Sequence, residues 1–270
     1  MKWKGVNLKG ILYYGVLMLF TPIMLFLTYY NFRFTMTCDY FGDDRKVNET
    51  IDSMILHCIV VLIWVTVAFL LGKLVEYTNK KQRYIKIFLG CVMIIAFGFC
   101  LGWNLFGNFY AMDDSRGVLN CMEEIRNGDY TALHPQGYIG AFKQHLGLMT
   151  LFEAIYTIAG TTNELAIRIA NTMCVPIVIY AGYGILKELV TECKIYIYYC
   201  MLMLFCLPLF LYTPFVYGEV ISIACGMLFI WAAICWIKRQ RISAWFALSV
   251  CSVIGYMARV NFLILLIYFS

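Results

Sequence analysis

Charge is what this chain has least of. Asp, Glu, Lys and Arg make up 14% of its 270 residues, where a soluble domain carries about a quarter. Hydrophobic residues reach 62%, and mean hydropathy is +0.76. One water-soluble core is excluded, and a polytopic membrane chain is what such a composition describes. Other absences narrow the function. There is no phosphate loop, no G-x-G-x-x-G following a strand and no nucleotide-binding domain, so an ATP-driven pump acting alone is excluded. The 12 cysteines contain no C-x-x-C, which removes zinc and thiol-redox readings. No heptad or solenoid repeat is visible, and no sheet pattern competes with helices. The net charge of +5 sits in loops flanking apolar runs. It reflects topology and not a nucleic-acid patch, so no nucleic-acid partner is expected.

What is there is a series of apolar runs. About 20 residues cross the hydrocarbon layer, and each crossing must be helical because lipid offers no partner for free backbone groups. The runs predict seven spans: Ile11–Tyr30, Met54–Leu71, Ile87–Phe106, Ile169–Leu186, Ile195–Tyr212, Val220–Ile237 and Ile242–Ala258. Met1-Lys-Trp-Lys before the first run has signal-peptide character. The run is long for a signal, however, and no clear small-x-small site follows it, so it reads as a retained span.

His145 to Gly160 is apolar but short, with Glu153 in its middle. The positive-inside rule arbitrates its placement. With a cytoplasmic N-terminus and this segment lying at the interface, 13 Lys/Arg fall inside and 8 outside. If the segment crosses, the split becomes 10 and 11 and the bias vanishes. An interfacial helix is therefore expected, within one large outer loop from Asn108 to Asn163.

That loop carries Asp113-Asp114 just past the end of a span. The same topology puts His134, Lys143, His145, Glu219 and Arg259 on the outer, extracytoplasmic side. Acids held at a bilayer face suggest chemistry there. Bland readings stand beside this one. The Asp pair fits a helix N-cap ahead of Ser115–Arg126, Glu123-Glu124 and Arg126 fit a solvated face, Glu219 fits the first turn of a span, and Arg259 fits a snorkelling side chain. His57 reads as structural. The Tyr and Trp near span ends fit an aromatic belt, although Trp103 and Tyr217 could stack on a sugar. Of the cysteines, Cys38 and Cys121 lie in outer loops, which allows a disulfide between them.

From Trp103 to Asn261 the chain resembles the GT-C membrane glycosyltransferases, in particular the members related to protein O-mannosyltransferases and bacterial aminoarabinose transferases. The resemblance rests on an ordered set of pieces. A span ends in Trp103-Asn104, and Asp113-Asp114 comes early in the first large outer loop. Asn127-Gly128-Asp129-Tyr130, His134-Pro135-Gln136 and Gln144-His145-Leu146-Gly147 follow. Arg168-Ile-Ala-Asn171 opens a span that closes on Leu186-Lys187-Glu188-Leu189. Then come Phe215-Val216-Tyr217-Gly218-Glu219 in a second outer loop and Arg259-Val260-Asn261, similar to an Arg-Pro-Asn signature. Three departures accompany it. Two spans precede the matching region, Val260 replaces the usual Pro, and the sequence stops at Ser270 inside an apolar run where family members continue. A truncated chain is the corresponding expectation.

The resemblance implies an all-α polytopic fold. It has a two-helix membrane extension over 1–85 and an incomplete GT-C-like module over 86–270. It further implies transfer of a sugar, with inversion, from a polyprenyl-phosphate donor to an acceptor hydroxyl on a protein, a polymer or a glycolipid. An alcohol is a poor nucleophile, so a carboxylate taking its proton helps, and Asp113 or Asp114 is the candidate. The leaving phosphate needs cationic support. Arg259 comes first for this because it can bind phosphate with two parallel bonds, with Lys143 and His145 behind it. Glu219 and Tyr217 belong to the second loop. A divalent cation held by Asp113 and Glu219 is an option without being required. The other functions considered are a transporter or flippase, and a non-catalytic membrane scaffold.

Overall fold

The computed structural model describes the backbone of residues 8–41, 44–77 and 81–269, and the side chains of residues 14–35, 48–77 and 82–267. The chain divides between Val67 and Ala68 into two compact units. That boundary falls inside a helix and upstream of residue 85, where the extension was expected to end.

The first unit holds α1 (Leu8–Arg33), a hairpin of β1 (Phe34–Phe41) and β2 (Asp44–Ile51), and the start of α2 (Met54–Glu76). The hairpin corrects the expectation that no sheet pattern competes. The two strands pair antiparallel from Phe34 opposite Ile51 to Phe41 opposite Asp44. Side chains at its base close it onto the helices. Tyr30 donates to Glu49 at 2.7 Å, and Thr35 donates to Asp52 at 2.5 Å. His57 Nδ1 lies 3.0 Å from the Phe32 carbonyl oxygen at the end of α1, a structural use as expected. The Cys38 side chain lies outside the described residues, and Cys121 is a buried free thiol.

The second unit holds the rest of α2, then α3 (Lys81–Phe106), α4 (Asp113–Arg126), α5 (Tyr138–Ala141), α6 (His145–Ala159), α7 (Glu164–Leu189), α8 (Cys193–Leu204), α9 (Leu207–Leu211), α10 (Glu219–Arg239), α11 (Ile242–Ala258) and α12 (Phe262–Phe269). Its centre is a layer in which α7 packs on α3 and α10, α11 lies along α10, and α8 lies along α3. Small residues at the seams, such as Ala181 on α7 and Ala224, Ala232 and Ala233 on α10, are buried. They let the backbones approach, as helices packing in lipid require.

Among the described residues, five helices are long and apolar enough to cross a membrane: Tyr14–Arg33, Met54–Glu76, Gln82–Phe106, Glu164–Leu189 and Glu219–Arg239. Their large apolar side chains are often turned outward, as with Leu19, Ile55 and Ile94. Several long apolar helices of this kind fit a membrane protein. Two of the seven expected spans take another form. The run Ile195–Tyr212 is broken at Phe205–Cys206 into α8 and the short α9. Pro208, near the start of α9, cannot donate in a ladder and disfavours helix before it. α8 alone is about 18 Å long at 1.5 Å per residue, short of the ~30 Å hydrocarbon core. Ile242–Ala258 forms as expected, but it is one of the shorter apolar helices.

Segment 107–163 folds as a cap of α4, α5 and α6 on the helical layer. α6 spans 15 residues and ends at Gly160, which takes the left-handed conformation. Its Leu148, Phe152 and Tyr156 repeat at helical spacing and are buried with Val118 and Met122 of α4, Ile167 of α7 and Val216-Tyr217. Glu153, at the edge of this face, binds Arg126 at 2.5 Å, and the Arg126 guanidinium lies 5.0 Å from the Tyr156 ring.

Candidate functional site

The approach to the Asp pair is fixed from both sides. Asn163 caps α7 by accepting from the Leu165 N–H at 2.8 Å, which places Glu164 in the first turn. Glu164 accepts from the Ala111 N–H at 3.2 Å and pairs with Arg116 at 3.4 Å. The loop before α4 is therefore tied to α7. At the start of α4 the cap is made by Ser115 and not by an aspartate. Its hydroxyl accepts from the Met112 N–H at 3.1 Å and donates to the Met112 carbonyl oxygen at 2.6 Å. Asp113 turns the chain with φ of +51°, a left-handed conformation that Asp tolerates better than most residues. Both acids then sit in the first helical turn, where the helix dipole favours negative charge.

Asp114 of the pair lines a cavity. The cavity has a volume of about 580 Å³, and Asp114, Gln144, His145, Tyr217, Arg259 and Asn261 are among the residues lining it. It lies between the cap and the break joining α11 to α12. Four residues singled out from sequence, Asp114, His145, Tyr217 and Arg259, thus converge from separate parts of the chain. Asp113 and the exposed Lys143 do not line the cavity, and Glu219 sits behind Arg259. Asp113 takes the left-handed turn, and Lys143 is exposed in the segment before His145.

The cavity wall is a chain of contacts. The Tyr138 hydroxyl donates to Asp114 Oδ1 at 3.0 Å. The Tyr138 ring stacks on His145, with centroids 5.6 Å apart and planes inclined 14°. His145 Nδ1 is 3.0 Å from the Tyr217 hydroxyl. Arg259 lies 4.5 Å from the Tyr217 ring centroid and forms an ion pair with Glu219. Burial holds the Tyr138 hydroxyl well above its ordinary range, and the adjacent Asp114 adds to this. Tyr138 therefore stays a donor. Burial also pushes His145 down, with Arg259 adding in the same direction and Asp114 opposing it, so its imidazole is neutral at neutral pH.

Arg259 owes its position to a helix break. It ends α11 in an extended conformation, φ −152° and ψ 125°, and α12 starts at Phe262. The break forms with Val260 in place of proline. Opposite it, Gly218 precedes α10, and a Cβ there would stand 1.9 Å from the Ala258 carbonyl oxygen. Only glycine allows the start of α10 and the end of α11 to come so close.

Below the cavity a buried polar knot joins the layers. Asn104 Nδ2 lies 3.1 Å from Thr172 Oγ1 and 2.9 Å from Thr213 Oγ1. Asn171 Nδ2 donates to the carbonyl oxygens of Thr213 and Phe215 at 3.1 and 2.9 Å. This holds the segment leading to Tyr217 and Glu219. Among the described residues, no group of three or more His, Cys, Asp or Glu comes together to hold a metal ion. Asp113 and Glu219, the ligand pair suggested from sequence, do not meet in the cavity. Tyr138 and Glu164 were missed from sequence, and only the first-turn position of Glu164 behind its Asn cap could have signalled it.

Fold and site together define a helix-rich chain, with several helices suited to a membrane, that carries one polar cavity where acid, imidazole, phenol and guanidinium meet. No family model, no curated protein and no solved structure matches the chain.

Proposed function

We propose that this chain is an integral membrane glycosyltransferase that moves a sugar from a polyprenyl-phosphate donor to an acceptor hydroxyl on the extracytoplasmic face. The observation that carries the reading is that Asp114 and Arg259 line one cavity, which offers a base and a phosphate ligand to one reacting centre. In this reaction the acceptor oxygen forms a bond to the anomeric carbon. The bond from that carbon to the phosphate oxygen breaks, and its electron pair leaves with the phosphate. The acceptor proton goes to the Asp114 carboxylate. The Arg259 guanidinium has five donors in a fixed fork. Glu219 engages it from behind, and its cavity-facing N–H groups support the leaving phosphate. A neutral His145 and the Tyr217 hydroxyl, 3.0 Å apart, add hydrogen-bonding groups to the cavity wall. Glu219 serves Arg259 in this reading.

Sugar transfer from labelled polyprenyl-phosphate hexoses, measured in membranes containing the protein, tests the reading. Wild-type transfer that Asp114→Asn lowers by about 10²–10⁴, the usual weight of a general base, supports it. Full transfer by Asp114→Asn with normal membrane insertion overturns the base assignment. Wild-type protein that is inserted but inert toward every donor overturns the class.

A further inference from the structure

A second cavity, of about 560 Å³, lies against the same tyrosine. It is formed by one face of α4, the short 3-10 turn Thr131–Leu133 and the segment entering α5. Its polar lining consists of Asn120, Glu124, Thr131, His134, Gln136 and Tyr138. Gly117 of α4 makes room for the tyrosine, since a Cβ there would be 2.9 Å from the Tyr138 ring. Tyr138 thus lines the second cavity while its hydroxyl holds Asp114, which lines the first. The two cavities meet at one hydrogen-bonded pair.

We infer that the second cavity binds the acceptor and that the acceptor is a neutral glycan presenting a hydroxyl toward Asp114. The inference rests on the glycosyltransferase reading and adds a substrate class to it. The amides of Asn120 and Gln136 each offer donors and an acceptor, the Thr131 hydroxyl offers both, and the Glu124 carboxylate accepts. Such a set answers the mixed donor and acceptor pattern of sugar hydroxyls. The Glu124 carboxylate in this cavity disfavours a phosphate-bearing polymer by like-charge repulsion. A lipid chain would find few apolar side chains in this lining. A peptide would find no strand edge to pair with, because the sheet among the described residues is the hairpin at 34–51. In this inference the acceptor hydroxyl is delivered to Asp114 at its contact with Tyr138, while the donor's anomeric carbon approaches from the first cavity, which Asp114 lines.

The test uses the whole chain in lipid nanodiscs, with Asn120→Leu and Gln136→Leu beside the wild type. Three probes are compared by saturation-transfer NMR: a neutral mannose disaccharide, its phosphate monoester and a serine-rich peptide. The wild type is expected to bind the neutral disaccharide best. Each variant is expected to weaken that binding tenfold or more, and to raise the acceptor KM by a similar factor while the donor KM holds. Disaccharide binding that is unchanged in both variants overturns the inference, and so does a preference for the peptide or the phosphorylated probe. Binding that depends on Asn120 and Gln136, in a protein that neither transfers sugar nor hydrolyses any donor, supports the glycan site and overturns the glycosyltransferase reading. Transfer that ignores both variants overturns the second cavity alone.

Discussion

The Tyr138 hydroxyl is 3.0 Å from Asp114 Oδ1, and the Tyr138 ring stacks on His145, so one side chain fixes two groups of the cavity. Tyr138→Phe keeps the stack and removes the donor. Its expected effect is a fall in kcat of about three- to tenfold with little change in donor KM, the worth of one hydrogen bond of roughly 0.5–1.5 kcal/mol. A donor KM that rises in parallel with an unchanged kcat would mean that Tyr138 serves binding and does not position the base.

Arg259 is held between the Tyr217 ring and Glu219, which fixes the plane of its fork before any phosphate arrives. Arg259→Lys keeps the charge and loses the fork. A fall in kcat/KM of about ten- to a hundredfold is expected, corresponding to the ~1.5–3 kcal/mol of one charged hydrogen bond. Arg259→Gln should cost more, because it also leaves the Glu219 carboxylate without its cation. Equal rates for Lys and Arg at this position, read from transfer kinetics, would show that charge alone is used.

Gly218→Ala tests the close approach of α10 to α11. Its Cβ would collide with the Ala258 carbonyl oxygen, and that oxygen belongs to the residue before Arg259. Overpacking of this kind costs about 1–3 kcal/mol. Here the displaced group carries Arg259, so transfer should fall together with thermal stability. A variant with wild-type Tm and wild-type transfer would show that the helices can part without moving the site.

Most of the helices were legible in the sequence because lipid makes their rule simple. Met54–Leu71 grew into Met54–Glu76, Ile169–Leu186 into Glu164–Leu189, and Ile242–Ala258 was unchanged. Each extension adds polar end residues that hydropathy does not count. The hairpin at 34–51 was not legible, because its strands are mixed in polarity and are anchored by Tyr30–Glu49 and Thr35–Asp52 contacts that no periodicity shows. The break at Phe205–Cys206 was hidden inside an apolar run, although Pro208 marked it. Convergence of Asp114, His145, Tyr217 and Arg259 followed from placing their loops on one side. The choice between Asp113 and Asp114 needed the backbone turn at Asp113, and Tyr138 needed the fold of the cap. Neighbouring residues on a helix differ by about 100° in direction, so one of two adjacent acids faces the cavity while the other need not.

His145 makes a pH prediction whose sign follows from its surroundings. The groups facing it are Asp114, Arg259, Tyr138, Tyr217 and Phe142. Burial is the largest influence and lowers its proton affinity below the ordinary 6.5. The folded protein therefore binds fewer protons here than the unfolded chain. Above pH 6.5 both states hold a neutral imidazole and the residue adds no pH dependence. As pH falls below 6.5 the unfolded chain takes up the proton first, and the fold loses stability until its own imidazole titrates. Thermal unfolding in detergent should show a wild-type Tm that drops as pH falls below about 6.5. His145→Gln should flatten that drop while leaving the other carboxylate-linked losses in place. A drop of equal size in both proteins would show that His145 is solvated enough to charge within the fold, and the neutral imidazole assigned to the cavity would be wrong.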